Sequence, residues 1–189
     1  MTDLTLEAFP HRKARAAGAS YVLAVLVAIA GESLGGQLGY ALGFVAIALM
    51  LAMTLLVYGL FKPVNRSVAL LAVFFSLVGL GFEALRWNPR GVDIALVFHA
   101  CFCFLIGYLA LRASFLPRIL GALMILGGCG WLTHLSPPLA DRLSPYNVIV
   151  GFLGDAPLML WLLALGVSAE RWKEQASAAA SQDEAGAHF

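Results

Sequence analysis

The sequence predicts an all-α integral membrane bundle of six transmembrane helices with both termini cytoplasmic. Three observations carry that prediction. Of 189 residues, 61% are hydrophobic and only 12% charged, with a mean hydropathy of +0.86, far from the balance of soluble domains. Six apolar runs are long enough to cross a bilayer at about 20 residues each. The Lys and Arg residues gather on alternate connections. The same composition excludes a soluble globular domain, a disordered chain, a coiled coil and a disulfide scaffold. The net charge of +1 supplies no field that would draw nucleic acid.

The spans follow in order. A backbone in hydrocarbon must satisfy its own hydrogen bonds, so each long apolar run with few charges is a helix. The first covers 16–37, the second 39–61 and the third 67–87, with Lys62, Pro63 and Arg66 between the last two. The fourth covers 92–111, the fifth 115–135 and the sixth 147–169. The Val68–Phe75 run lacks the alternation of a barrel strand. A basic stretch, an apolar run and Ala28-Ile-Ala30 also suit a cleavable signal peptide, but the segment is read as a retained first helix. Residues 170–189 are rich in Ala and Ser with Asp183 and Glu184, and are expected to form a largely disordered cytoplasmic tail.

Basic loops stay in the cytoplasm. Arg12, Lys13, Arg15, Lys62, Arg66, Arg112, Arg118, Arg171 and Lys173 fall on one side, against Arg86, Arg90 and Arg142 on the other. All five Tyr, and Trp87, Trp131 and Trp172, lie within a turn or two of an expected helix end, the usual place for amphipathic rings.

Ionisable groups inside spans cost about 2.5–3.5 kcal/mol on insertion scales and mark candidate sites. Counted from the helix midpoints at about 1.5 Å per residue, His99 and Asp155 share one depth, about a turn to the outer side of centre. Glu32 and Glu83 lie further out and His134 near the outer boundary. These five residues outline an expected outward-facing pocket for a small ligand, an ion or a lipid headgroup. The alternative is local pairing that fixes helix packing, as between Glu83 and Arg86 or Arg90, and between Asp155 and a hydroxyl or His. Pro157 with Gly151 and Gly154 loosens the turn around Asp155, as either a broken helix at a site or an ordinary kink.

His99, Asp155 and Glu83 are also the candidate metal ligands, since imidazole and carboxylate at matching depth suit a metal. His99-Ala-Cys101-Phe-Cys103 is not a tight ligand set: Cys101 points away from His99 at 100° per residue, and only Cys103 shares its face. The three Cys suit small buried hydrophobes better than disulfides or a zinc knuckle. A haem between His99 and His134 meets a mismatch of about two turns in depth. No cofactor and no catalytic residue is assigned.

Gly35, Gly39 and Gly43, and Gly121, Gly127, Gly128 and Gly130, are read as packing positions that let helices approach. The chain carries no phosphate-binding loop, dinucleotide fingerprint, nucleophile elbow or HExxH motif.

Two cytoplasmic segments are the most distinctive: Leu60-Phe-Lys-Pro-Val-Asn-Arg-Ser-Val-Ala-Leu-Leu71 and Leu111-Arg-Ala-Ser-Phe-Leu-Pro-Arg-Ile-Leu-Gly121. Pro63 and Pro117 punctuate helices there, and Asn65 or Ser67 can cap the third. With Arg15 to Gly18 before them, these segments resemble the bacterial domain-of-unknown-function 4386 family of multi-pass membrane proteins, over nearly the whole chain. The stretch after the first helix departs from the family in its short Gly-rich turn. The resemblance implies a bacterial inner-membrane protein and transfers no activity. Arg66 through Glu83 and Arg118 through His134 show a faint internal likeness.

Three functions stay open from the sequence. They are a polar outward-facing binding site, an accessory or scaffold subunit of a larger membrane complex, and a membrane-embedded metal-dependent enzyme. The lipid bilayer is the expected partner. A membrane-protein partner or a homo-oligomer would suit the Gly-lined helices, and no nucleic acid is expected.

Overall fold

A computed structural model describes residues 3–186. It is helical throughout, with no strand among the described residues. The helices are α1 (Asp3–Leu34), α2 (Gly36–Phe61), α3 (Arg66–Leu85), α4 (Ile94–Arg112), α5 (Arg118–Leu132), α6 (Pro137–Leu143), α7 (Tyr146–Ala164) and α8 (Ala169–Gly186). Six are long and apolar enough to cross a membrane: α1 from Pro10, α2, α3, α4, α5 with its 3-10 extension to Leu135, and α7.

Local chemistry sets the ends. Asn65 caps α3, its side chain accepting from the Val68 amide at 3.0 Å, and Asp93 caps α4 by accepting from Leu96 at 3.2 Å. The connection between α1 and α2 pivots on Gly35 and Gly36, with φ of 61° and 58°, a left-handed region that glycine enters without a Cβ penalty. Pro157 lies inside an uninterrupted α7, so the sixth span is not broken there.

The spans close into a ring. Each packs on its chain neighbours, α5 packs on α7, and α7 returns to α1. Small residues set the separations. A Cβ on Gly127 would sit 2.8 Å from the Gly154 Cα, and one on Gly130 2.6 Å from the Asn147 carbonyl oxygen, so α5 and α7 touch backbone to backbone. In the first hairpin Gly39 abuts Gly31. Gly35 belongs to the turn instead, and a Cβ on Gly43 would meet only the Arg86 guanidinium at 3.9 Å. Of those three glycines, Gly39 is the packing position.

The dry core lies toward the end that carries most of the basic residues, called here the basic end. Met53, Val57, Leu60 and Phe61 of α2, Phe102, Ile106 and Leu109 of α4, and Leu158, Met159 and Leu162 of α7 are all buried. Leu38, Phe44, Leu55, Leu70 and Phe74 are exposed on α2 and α3, an apolar surface that lipid covers without cost.

Residues 169–186 form α8, where composition suggests a largely disordered tail over 170–189. Ala is the best helix former, and two side chains dock the helix. Trp172 donates from Nε1 to the Leu60 carbonyl at 2.9 Å, and Gln175 Oε1 accepts from the Ser114 amide at 3.1 Å. Residues 187–189 of the expected tail lie outside the described residues.

Candidate intramembrane site

Asp155 on α7 is 1% exposed and lies in the middle of the span. Its Oδ2 accepts from Trp131 Nε1 on α5 at 2.9 Å and is 2.9 Å from His99 Nε2 on α4. Its Oδ1 accepts from the Cys103 thiol, also on α4, at 3.3 Å. One carboxylate therefore meets an imidazole, an indole and a thiol. A polar group needs hydrogen bonding of this density in a medium without water.

Local sequence builds each contact. His99 and Cys103 are one helical turn apart, so both project from one face of α4. The glycine seam of α5 and α7 brings the carboxylate under the indole, and a Cβ on Gly127 would come within 3.2 Å of Asp155 Oδ1. Tyr21 on α1 is also buried and interacts electrostatically with Asp155 and Cys103. His99, Cys103 and Asp155 each offer one ligand atom, and the three atoms lie within 4.8 Å of one another. The His99 side chain is 26% exposed, while Cys103 and Asp155 are buried.

Of the five residues expected to line a pocket, the structure joins His99 and Asp155 directly. Glu32 and Glu83 are exposed. The Glu83 carboxylate is within electrostatic range of His99, Glu32, Asp93 and Arg86, and Arg86 itself lies over the Tyr40 ring at 5.0 Å. Glu83 does not join the ligand group of His99 and Asp155; Cys103 stands there. His134 Nδ1 is 3.2 Å from the Trp131 carbonyl. It lines a separate cleft of about 270 Å³ with Asn88, Asp93, Asp141 and Asn147. The Trp131 ring touches both His99, at 5.9 Å, and His134, at 6.1 Å, so an indole occupies the space a haem between these two would need. A second hollow of about 450 Å³, at the basic end beside His11, Trp161 and Arg171, contains none of the expected site residues.

Cys103, Trp131 and Tyr21 are the members that sequence reasoning missed. Cys103 reads as a small hydrophobe, and both rings read as interfacial, yet both are buried. The spacing of four places Cys103 on the face of His99, a signal that sequence reasoning saw but did not count toward a ligand set.

These features define a multi-pass helical membrane protein with a buried polar cluster shared by its fourth, fifth and sixth spans. Over residues 80–166 the chain matches the family Domain of unknown function (DUF4386), which bears out the resemblance read from the motifs. That match includes the Leu111–Gly121 segment and leaves Leu60–Leu71 outside it. All the bonded members of the cluster fall within it. An uncharacterized protein of Archaeoglobus fulgidus is 26% identical over 134 residues, covering 65% of this chain and 80% of its own length. That relative is archaeal, and neither match carries the bacterial origin that the motifs imply. No solved structure matches the chain.

Proposed function

We infer that this is a binding protein of the plasma membrane that receives a small polar ligand or ion at the His99–Asp155 cluster, from the end opposite the basic one. The observation that carries the reading is the Asp155 carboxylate, 1% exposed inside a span yet tied to His99, whose side chain is 26% exposed. Holding helices together does not require it, because apolar residues of similar volume do that at no desolvation cost. The exposed Glu83 and Glu32 carboxylates, and the neighbouring polar cleft at His134 and Asp93, lie toward that end and support entry from it. With the basic residues on the cytoplasmic side, both termini are cytoplasmic and the site faces outward.

The test is native mass spectrometry of the protein released gently from its own membrane. A bound mass on the wild type that is lost in Asp155→Asn is expected. A bare wild-type chain that also takes up no added ion overturns the reading.

A further inference from the structure

The chemical identity of the occupant deepens the binding reading and rests on it. Three donor types meet in the cluster: an imidazole nitrogen, a thiol sulfur and a carboxylate oxygen. Tetrahedral zinc takes nitrogen and oxygen at about 2.0–2.2 Å and sulfur at about 2.3 Å, so its ligand atoms stand roughly 3.3–3.6 Å apart. In the structure the imidazole nitrogen is 2.9 Å and the sulfur 3.3 Å from the carboxylate oxygens, and all three atoms fall within 4.8 Å. The nitrogen meets Oδ2 and the sulfur meets Oδ1, so side-chain rotations of about an ångström, from a spread of up to 4.8 Å, convert the hydrogen-bonded triad into a coordination triangle.

Charge favours the same occupant. A neutral imidazole, a thiolate and a carboxylate carry two negative charges, and a divalent cation cancels both. That leaves a neutral centre, the form that hydrocarbon surroundings tolerate best. As the metal enters, Cys103 must release its thiol proton to bulk water, since the thiolate is the ligand, and the proton that His99 Nε2 shares with Asp155 must leave that nitrogen, to Nδ1 or to water. Trp131 meets the requirement for an outer partner, its N–H fixing the carboxylate oxygen. The sulfur excludes Mg²⁺ and Ca²⁺, which want oxygen alone, and selects the Zn²⁺ class. Three protein ligands leave the fourth position open, the pattern of zinc sites that bind water or substrate rather than serve only structure. His99, 26% exposed at its side chain, is the one ligand of the three that is not buried.

We propose that His99 Nε2, Cys103 Sγ and the Asp155 carboxylate form a zinc-class metal site with one open coordination position. Glu83 is not a ligand of it.

The experiment uses the full chain in detergent micelles, stripped with chelator and titrated with Co²⁺ by absorption and with Zn²⁺ by calorimetry. Expected are one equivalent of each metal, a thiolate-to-cobalt charge-transfer band, and release of at least one proton per Zn²⁺. The band disappears in Cys103→Ala and survives in Cys101→Ala, Cys129→Ala and Glu83→Gln. Affinity falls about 10- to 100-fold in Trp131→Phe while the band remains, as for loss of an outer-shell partner. Should Cys103→Ala not fold, Cys103→Ser serves, with the band absent. A folded wild type that takes up no Co²⁺, or a band that persists without Cys103 sulfur, overturns the proposal. A native mass spectrum with an organic adduct and no Co²⁺ uptake sinks the metal site and leaves the binding reading intact. A bare native spectrum with stoichiometric Co²⁺ uptake means that the metal was lost on extraction, and the metal site stands.

Discussion

Asp155 is the shared hydrogen-bond partner of His99, Cys103 and Trp131, so its removal strands several polar groups at once. Asp155→Ala is expected to destabilise the folded chain by about 1–3 kcal/mol for each buried donor left unpaired, read as the midpoint of unfolding by SDS in mixed micelles. Asp155→Asn keeps one carbonyl acceptor and should lose less. Depth along each span is legible in the sequence, which is why His99 and Asp155 can be matched without knowledge of any contact. The direction in which Trp131 and Tyr21 point is not. A residue near a helix end can face lipid or core, and only the neighbouring helix decides between them.

Helices in this protein meet where side chains are missing. Gly127→Val would drive a branched side chain into the backbone of α7 at Gly154, a contact no rotamer relieves. Overpacking of this kind costs about 1–3 kcal/mol or more, and here it also displaces Asp155. A lowered thermal midpoint together with altered Trp131 fluorescence would be its signature, while Gly43→Ala, beside an open space, should leave both unchanged. At the basic end, helix termini are satisfied by side chains rather than by chain continuation. Trp172 reaches the Leu60 carbonyl at the end of α2, and Arg15 Nε reaches the Leu163 carbonyl near the end of α7 at 3.1 Å. Such carbonyls have no partner within their own helix. Trp172→Ala removes one of these bonds, about 1 kcal/mol, and should speed proteolysis of α8 with the bundle intact. Polar, Ala-rich composition hides α8 from sequence reasoning, because its stability comes from contacts with residues more than 60 positions away in the chain.

At the scale of the whole molecule the buried core of the ring is apolar toward the basic end and polar toward the other. Alternation of loops and the distribution of Lys and Arg make the number and expected direction of crossings legible, but no pattern along one chain states that α7 closes on α1. Orientation has a direct test. In a bacterial host, a fluorescent protein fused after Phe189 should glow, as it does only in the cytoplasm, while alkaline phosphatase inserted after Ser136 should be active, as it is only outside. The opposite pair of results would turn the site to the cytoplasm.

The near absence of any connection between α1 and α2 bears on how the protein is made. With only Gly35 separating Leu34 from Gly36, the turn offers nothing for a translocation channel to thread across ahead of the second helix. The two spans are therefore expected to enter lipid as one folded-over pair, which gives that glycine turn a part in the biogenesis of the bundle.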